Sequence, residues 1–366
     1  MKMKKWTIAL LAIVIMAMVF TACQPETAAT DAAATDAAAT EAGTTEAGDT
    51  EAAAPAEGDP VRVGAFFYQY SDTYTSTVRS ALEQYASEMN LELNLQDAQN
   101  NQGTQNDQIP NVISRGADVL LMNIVDTGAA ANVINQAKNA DIPIIFFNRE
   151  PEDIGVYASY DKSRFVGTKK EDAGIIKGKM IAELWNSDPE KFDRNGNGQL
   201  DYVMLHGGLD NAEAIARTEY SVKTIEEAGI ETNEIGMQIA QWDTERAKNA
   251  MDAWATKDIA NIDVVIANND GMAIGAINSL RALGYNSGDE AQYIPVFGVD
   301  ATEEAKEAIA QGSMAGTVLQ DADVMAKALA EIARNAGQGK DFLDGLDYEY
   351  DDSGVAVRIP YQPYTE

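Results

Sequence analysis

The sequence predicts an α/β protein built from two doubly wound parallel sheets, each with helices on both faces. Short apolar runs that favour strands alternate with longer segments in which apolar residues recur at helical spacing. One run, 142–147, is apolar throughout, which is typical of a strand buried on both faces of a parallel sheet. The chain from about residue 61 onward is long enough for two such sheets.

The first series of elements begins with a β-rich run at 61–67. A helix is predicted at 75–89, because Val78, Leu82 and Tyr85 recur at helical spacing. The remaining segments of this series are a strand at 91–95, a helix at 104–115, a strand at 119–123, a helix at 129–139 and a strand at 142–147.

A second series of alternating segments follows. Its predicted elements are a helix at 171–186, a strand at 201–206, a helix at 212–228, a strand at 234–240, a helix at 244–254, a strand at 264–267, a helix at 271–283, a strand at 294–299, a helix at 302–311, a strand at 316–319, a helix at 322–335 and a last strand near 355–359. Repeated β-α units of this kind form parallel sheets through right-handed crossovers.

The chain begins with an export signal at residues 1–22. Basic residues precede an apolar core at 8–20, which is too short for a convincing membrane-spanning helix, and small residues follow before Cys23. An ordinary signal peptide cut after Ala22 fits this pattern, and so does a lipoprotein. Because Cys23 is the sole cysteine and stands at the cleavage point of bacterial lipoproteins, we expect it to be lipidated. The protein is then anchored to the outer face of the cytoplasmic membrane.

Residues 23–59 form the lipidated cysteine and an acidic tether. The segment repeats a five-residue unit rich in Ala, Thr and acidic residues, and it has almost no large apolar side chain, so we expect it to be disordered. The net charge of the whole chain is −31. Such a charge argues against nucleic acid as a partner and against electrostatic binding to anionic lipid.

Polar side chains cluster just after the predicted strands, where ligands of doubly wound sheets bind. Carboxylates and planar amides suit the hydroxyl groups of a polyhydroxylated ligand, and aromatic rings suit its C–H faces. The candidates from this pattern are Asp72, Asn148, Asn269 and Asp300, with Tyr74 and Trp242 as aromatic partners.

Each candidate also has a purely structural interpretation. Asn148 and Asp300 fit the role of helix caps, and Trp242 fits core packing. Arg217 fits a surface ion pair, and Arg149 fits a solvated neighbour of Asn148. His206, at the end of a predicted strand, is interpreted as a structural histidine rather than a catalyst.

The segment 193–201 reads D-x-N-x-N-G-Q-x-D, the first nine positions of a calcium loop. Oxygen-bearing side chains stand at alternate positions, and the sixth position is a glycine, where the sharp turn is needed. The bidentate glutamate usual at the twelfth position is replaced by Met204. A Ca²⁺ ion bound here would take its last carboxylate from a distant part of the chain. An Asn/Gly-rich turn without metal is the alternative.

From Val61 to Tyr361 the chain resembles the D-galactose/D-glucose-binding protein family, the type I periplasmic binding proteins of sugar ABC transporters. The motifs that carry this resemblance are YQYSDTY at 68–74, QNDQI at 105–109, FFNRE at 146–150, EAIARTEY at 213–220, WDT at 242–244 with AMDAW at 250–254, VVIANND at 264–270, VFGVDA at 296–301 and GTVLQDA at 316–322.

The resemblance implies a set of sugar-binding residues. Asp72 is implied to accept from the 4-hydroxyl region, and Tyr74 and Trp242 are implied to sandwich the pyranose ring. Arg217 is implied to lie near the ring and anomeric oxygens. Three positions depart from the family pattern, with Asn211 in place of His, Glu213 in place of Asp and Gln320 in place of Asn. The full implied set is Asp72, Tyr74, Asn148, Asn211, Glu213, Arg217, Trp242, Asn269, Asp300 and Gln320.

The resemblance also implies a structural Ca²⁺ site. Asp263 matches the distant carboxylate of the family, where it is a Glu. The implied ligands are Asp193, Asn195, Asn197, the backbone carbonyl of Gln199, Asp201 and Asp263.

Two lobes and a hinge follow from the same resemblance. The N-terminal lobe is expected to comprise 60–167 and 301–321, and the C-terminal lobe 168–300 and 322–366. The chain is expected to cross between them near Thr168, Asp300 and Ala322.

The function expected from the sequence is sugar capture by hinge closure and delivery to an ABC transporter permease by a monomeric, non-enzymatic lipoprotein. A sugar sensor that presents its ligand to a membrane receptor uses the same fold and is an alternative. A glycoside hydrolase is a poorer one, because no pair of carboxylates with the spacing for glycoside cleavage is evident.

Overall fold

A computed structural model of the chain describes residues 58–151 and 153–365. The predicted signal peptide, Cys23 and the tether up to residue 57 lie outside the described residues. Within the described ranges, none of the helices combines the length and the apolar character that a membrane-spanning helix needs.

The described chain alternates strands and helices. The strands are β1 (Val61–Phe67), β2 (Leu91–Asp97), β3 (Val119–Met122), β4 (Ile144–Phe147), β5 (Ser163–Gly167), β6 (Leu200–His206), β7 (Thr232–Ile239), β8 (Val264–Ala267), β9 (Val296–Phe297), β10 (Thr317–Leu319), β11 (Ala356–Arg358) and β12 (Gln362–Tyr364). The helices are α1 (Thr73–Glu88), α2 (Gln102–Ser114), α3 (Ala130–Asn139), α4 (Lys170–Ser187), α5 (Pro189–Phe192), α6 (Ala212–Glu227), α7 (Thr244–Asp258), α8 (Asp270–Ala282), α9 (Glu303–Ala310) and α10 (Ala322–Gly337).

The N-terminal lobe contains a six-stranded sheet in the order β2-β1-β3-β4-β5-β11, and every neighbouring pair is parallel. Alternate side chains of β1 enter two different cores. Val63 and Phe67 pack with α1 and α10 on one face, and Phe66 packs with α2 and α3 on the other. All four residues of β4 are buried, which confirms the strand buried on both faces that its sequence predicts.

The C-terminal lobe repeats this architecture with a parallel sheet in the order β7-β6-β8-β9. Val203 and Leu205 of β6 face a core shared with α7, α8 and α9. Tyr202 and Met204 face the opposite core, shared with α4 and α6. The predicted doubly wound α/β class is therefore confirmed in both lobes.

The expected assignment of the last two segments to lobes is wrong. Helix α10, expected in the C-terminal lobe, packs through Met325 and Leu329 onto α1 and β1 of the N-terminal lobe, and β11 extends the same sheet. Residues 301–321, expected in the N-terminal lobe, belong to the C-terminal one, where Ala305 and Ile309 pack with α8. The apolar face of a helix does not specify which sheet it covers, so the local pattern left this undetermined.

The chain crosses between the lobes three times, at 168–169, at 320–321 and at 359–361. We call these the first, second and third crossings. The first two agree with the expectation near Thr168 and Ala322. The crossing expected near Asp300 is wrong, because β9 and Asp300 both belong to the C-terminal lobe, where Asp300 forms a β-bridge with Leu319. The true third crossing joins β11 of one lobe to β12, which pairs antiparallel with β10 of the other.

Candidate functional site

The N-terminal lobe contributes the loop after β1 to the inter-lobe cleft. Asp72 caps α1, accepting a hydrogen bond from the backbone N–H of Thr75 at 2.7 Å through Oδ1. Its Oδ2 accepts from the Tyr68 hydroxyl at 2.6 Å. The carboxylate is thereby fixed at the positive end of α1, with Tyr74 in the first turn of the same helix.

The turn after β4 adds an amide and a guanidinium. Asn148 has a φ of 62°, a conformation uncommon for a non-glycine residue, and its Oδ1 accepts from Asn123 at 3.1 Å. The next residue, Arg149, is buried over the Tyr68 ring, 4.5 Å from its centroid, and donates to the Val125 carbonyl at 2.9 Å. The strained turn aims both side chains into the cleft.

Helix α6 supplies most of the charge from the C-terminal lobe. Asn211 caps this helix by accepting from Ala214 N–H at 2.9 Å. Glu213 and Arg217 lie one turn apart on one face, with Oε2 and Nε 3.5 Å apart. Arg217 is 3% exposed, and its Nη1 donates to the Asn268 carbonyl at 2.8 Å. A cation this deep requires the neighbouring carboxylates that it has.

Trp242 enters the cleft after β7 and depends on a glycine. Trp242 has a φ of 63°. A Cβ at Gly207, which follows β6, would lie 2.3 Å from the Trp242 ring. The absence of a side chain at Gly207 therefore allows the indole to lie against the backbone at the end of β6.

The turns after β8 and β9 complete the C-terminal side. Asn269 caps α8 by accepting from Met272 N–H at 3.0 Å. Asp300 has a φ of 127°, and its Oδ1 is 3.9 Å from Arg217 Nη1. Burial raises the pKa of Asp300 well above its ordinary value, and the Arg217 guanidinium opposes this shift. Gln320, on the second crossing, accepts from Arg217 Nη2 at 2.7 Å.

All ten residues predicted as sugar-binding line a single cavity between the lobes. The N-terminal lobe contributes Asp72, Tyr74 and Asn148, the second crossing contributes Gln320, and the C-terminal lobe contributes the others. Two further residues, Tyr68 and Arg149, also line it. Sequence reasoning placed Arg149 in solvent and did not select Tyr68. Their position directly after β1 and β4 was the signal that could have identified them.

Several polar atoms of this lining lack partners. Among the described residues, five buried side-chain atoms of the cavity accept or donate no hydrogen bond, namely Tyr74 Oη, Arg149 Nε, Arg217 Nε, Asp300 Oδ2 and Gln320 Nε2. A buried polar atom without a partner costs about 1–3 kcal/mol. The cavity is therefore organised for a ligand that brings its own donors and acceptors.

Helix capping, proposed as the alternative role of Asn148 and Asp300, is wrong for both. Asn148 precedes no helix directly, and α9 is capped by Thr302, whose Oγ1 accepts from Ala305 N–H. The caps are instead Asp72, Asn211 and Asn269, so a capping role and a place in the cavity coincide in the same residues. Three helix N-termini consequently point towards the cavity.

His206 is structural, as interpreted from the sequence. Its Nδ1 accepts from the backbone N–H of Gly208 at 3.0 Å, and burial lowers its pKa. It does not belong to the residues that line the cavity.

The Asp193–Asp201 loop is organised by hydrogen bonds among its own residues. Asp193 accepts from the N–H groups of Asn197 and Gly198, at 3.1 and 2.8 Å. Asn195 Oδ1 accepts from Asn197 N–H at 3.0 Å. The side chains of Asn195 and Asn197 both reach Asp201 Oδ2, at 2.6 and 2.8 Å. Asp201 Oδ2 therefore faces the amide nitrogens of Asn195 and Asn197, and the loop is held together by its own hydrogen bonds.

Asp263 joins this loop to β8. Its Oδ1 and Oδ2 accept from the backbone N–H groups of Arg194 and Asp201, both at 2.8 Å. The described residues contain no group of three or more acidic, histidine or cysteine side chains placed to hold a metal ion, so the structure does not bring Asp193, Asp201 and Asp263 together as three carboxylate ligands.

Two doubly wound lobes that enclose a polar, aromatic-lined cavity at the carboxyl ends of their strands define a solute-binding protein. The chain matches the periplasmic binding protein domain over residues 63–341 and belongs to that family. Members of this family bind solutes for transport, and the chain is a binding protein rather than an enzyme.

The comparisons also identify individual relatives. The chain is 37% identical over 302 residues to the D-galactose/methyl-galactoside binding periplasmic protein of Haemophilus influenzae, covering 82% of this chain and 88% of that protein. It is 31% identical to a putative rhizopine-binding protein of Rhizobium meliloti, covering 76% and 85%. An ABC transporter solute-binding protein of Bacillus halodurans with bound myo-inositol superimposes with a TM-score of 0.68 at 29% identity, covering 84% and 95%.

Proposed function

We propose that this protein captures one pyranose of the galactose or glucose type and delivers it to the permease of a sugar ABC transporter. The observation that carries this proposal is the set of five unpartnered polar atoms in a cavity that also contains Tyr74 and Trp242. A pyranose offers several hydroxyl groups around a ring with apolar faces. It therefore matches both features of the cavity.

Each part of the cavity has a distinct task in this proposal. Tyr74 and Trp242 come from opposite lobes and contact the two faces of the ring. Arg217 Nε and Gln320 Nε2 donate to sugar oxygens, and Asp300 Oδ2 accepts from a hydroxyl group. Hydrogen bonds to charged groups contribute about 1.5–3 kcal/mol each. Several of them therefore account for selective binding of a neutral ligand.

Because the cavity residues come from both lobes, we infer that the lobes close over the sugar. The sugar contacts both lobes at once only when the cleft is closed, and such differential contact shifts the population towards the closed form. The permease then receives the closed, loaded protein.

The names of the relatives support a cyclic, polyhydroxylated ligand. The Haemophilus influenzae protein is named for D-galactose and methyl-galactoside, and the Bacillus halodurans structure contains myo-inositol. The cavity residues of this chain combine donors and acceptors in a way that fits either C4 epimer of the hexose, with Asp72 at the 4-hydroxyl region.

Export and anchoring belong to the same proposal. The family is exported, and residues 1–22 have the composition of a signal peptide. Lipidation of Cys23 would keep a monomeric body at the outer face of the membrane, beside the permease, at the end of an acidic tether.

We also propose that the Asp193–Asp201 loop binds a structural Ca²⁺ ion. The calcium-loop sequence and the loop's own hydrogen bonds support this proposal. Asp193, Asn195, Asn197, the Gln199 carbonyl and Asp201 would hold the ion, with Asp263 closing the site from β8. The ion would fix the loop to the sheet of the C-terminal lobe.

Titration calorimetry with galactose, glucose, xylose and arabinose tests the sugar proposal. We expect galactose or glucose to bind most tightly and Asp300→Ala to weaken binding at least tenfold, or about 1.4 kcal/mol. Asp107→Ala is the matched control, because Asp107 is an exposed acid of the N-terminal lobe, outside the cavity. Absence of binding for all four sugars, or equal affinity for Asp300→Ala and the wild type, would contradict the proposal.

A further inference from the structure

The three crossings of the hinge lie side by side, with the third in the middle. Ile359 N–H donates to the Gly167 carbonyl at 2.7 Å, which joins the third crossing to the first. Beyond Tyr361 the chain continues as β12 and pairs antiparallel with β10, next to the second crossing. A side chain on the third crossing is thus placed to contact both of the others.

The hydroxyl of Tyr361 occupies this central position. It accepts from Arg217 Nη2 at 2.8 Å, donates to Glu213 Oε2 at 3.1 Å, and lies 3.0 Å from Thr168 Oγ1. Thr168, on the first crossing, donates in turn to Glu213 Oε1 at 2.7 Å. One phenol oxygen therefore connects the first and third crossings to two side chains of the cavity.

Arg217 extends the same network to the second crossing. Its Nη2 also donates to Gln320 Oε1 at 2.7 Å. Arg217 and Gln320 each present an unpartnered nitrogen to the cavity, while Tyr361 and Thr168 do not line it. The network is buried, with Tyr361 7% and Thr168 1% exposed, so a lost bond is not replaced freely by solvent.

We propose that Tyr361 is a positioning residue that couples sugar binding to closure of the hinge, an inference that rests on the proposed sugar-binding function. Hydrogen bonds from the sugar to Arg217 Nε and Gln320 Nε2 fix the guanidinium and the amide. Through Tyr361 and Thr168, the fixed guanidinium then holds all three crossings in the arrangement of the closed protein. Tyr361 contributes without touching the sugar.

The variant Tyr361→Phe tests this role in the full-length protein. It keeps the ring, which packs in the core of the C-terminal lobe, and removes the hydroxyl group. We expect hexose affinity measured by calorimetry to fall at least tenfold. By hydrogen–deuterium exchange at saturating hexose, we expect residues 168–169, 320–321 and 359–361 to lose the protection that the sugar gives them in the wild type.

The exchange measurement separates coupling from stability. A merely structural tyrosine would lower the melting temperature but leave the sugar-induced protection of the crossings intact. Tyr364→Phe is the matched control, since Tyr364 follows on the same segment in β12, outside the network. Thr168→Val removes fewer contacts, and we expect a smaller loss of protection in the same three segments; it replaces Tyr361→Phe if that variant does not fold.

Three outcomes overturn the inference, and failure of the proposed function is distinguishable from failure of the coupling role. If the wild type binds neither galactose nor glucose, the proposed function fails and the inference falls with it. If the wild type binds hexose while Tyr361→Phe matches it within twofold in affinity and in sugar-induced protection, the coupling role alone is refuted. An unchanged protection pattern in Thr168→Val would refute it likewise.

Discussion

The inter-lobe cavity and the Asp193–Asp201 loop are both built from polar side chains. They differ in whether those side chains find hydrogen-bond partners within the protein. In the cavity, Arg217, Asp300 and Gln320 are buried, and each leaves a polar atom without a partner in the described structure. In the loop, Asp193 and Asn195 lie near solvent and accept hydrogen bonds from the loop's own backbone. The cavity thus needs a ligand to complete its hydrogen bonds, whereas the loop already folds on its own and a cation would add to its stability.

The cavity and the loop also differ in backbone strain. Asn148, Trp242 and Asp300 all have positive φ values and all line the cavity. Such conformations cost about 1–3 kcal/mol each and persist where the surrounding structure enforces them. In the loop, the residues with positive φ are Gly196 and Gly198, for which the conformation carries no such cost. The backbone conformations that shape the cavity therefore lower the stability of the folded protein, whereas those of the loop do not.

Removal of Arg217, a buried cation of the cavity, should have the largest effect on stability. Arg217→Met leaves Glu213 and Asp300 as buried carboxylates without their partner, so we expect the free energy of unfolding to fall by about 3–5 kcal/mol. Urea denaturation measures this change. Arg246→Met, at an exposed arginine of the same lobe, should stay within about 0.5 kcal/mol of the wild type. Equal changes in the free energy of unfolding for the two variants would contradict the stabilising role of Arg217.

Another buried cation, Lys177, lies behind the cavity and should give the protein a pH-dependent stability. Lys177 of α4 is fully buried, and its Nζ donates to the Ala267 carbonyl at 2.7 Å. Burial and the neighbouring Arg217 lower the pKa of Lys177 to about 7, while Asp270 and Asp300 act in the opposite direction. In the unfolded chain its pKa returns to the ordinary value of 10.5.

Between these two pKa values the unfolded chain binds one more proton than the folded protein, so stability attributable to Lys177 rises with pH. Below pH 7 both states are protonated and the dependence ends. We expect the free energy of unfolding of the wild type to gain up to about 1.4 kcal/mol per pH unit relative to Lys177→Met between pH 7 and 9. Lys257→Met, at an exposed lysine of α7, should show no such change. A constant difference between the wild type and Lys177→Met over this range would refute the account.

The packing of Trp242 against Gly207 gives a smaller effect that is specific to binding. The added methyl of Gly207→Ala would meet the indole at 2.3 Å and displace it from the cavity. We expect hexose affinity to fall about tenfold, or 1.4 kcal/mol, in calorimetry. Gly208→Ala is the control, because its Cβ would meet only the Asp210 side chain, at 3.2 Å. Comparable losses in both variants would show that Trp242 is not responsible.

Chelation of the proposed loop cation should have the smallest effect on stability. Because the loop folds on its own hydrogen bonds, removal of Ca²⁺ should cost about 1 kcal/mol, or roughly 2–4 °C in melting temperature, reversibly and without unfolding. Differential scanning calorimetry with and without chelator measures the shift, which Asp201→Asn should abolish and Asp107→Asn should preserve. If neither chelator nor added Ca²⁺ changes the melting temperature of the wild type, the loop binds no cation.

The sequence predicted the parts of this molecule that depend on local pattern. The apolar run of β4 and the helical spacing of α1 gave the correct elements, and the residues after the strands gave the cavity, because parallel strands bring their carboxyl ends together. The ten cavity residues also drew on the resemblance to a family, since Asn211 and Gln320 show no local signal of a binding role.

Long-range pairing accounts for what the sequence did not predict. Strand β5 carries Arg164 as its second residue and was not recognised, although it pairs with both β4 and β11. The short β12 was missed too, because it forms only by pairing with the distant strand β10 of the C-terminal lobe. The lobe that α10 joins and the true third crossing follow from those pairings, which no periodicity within a single segment specifies.

A crystal structure of the protein grown with galactose or glucose tests the central claim most directly. We predict one pyranose between Tyr74 and Trp242, with its oxygens within hydrogen-bonding distance of Arg217 Nε, Asp300 Oδ2 and Gln320 Nε2. A saturated crystal in which these three atoms remain without sugar contacts, or in which the hexose lies outside the inter-lobe cavity, would contradict it.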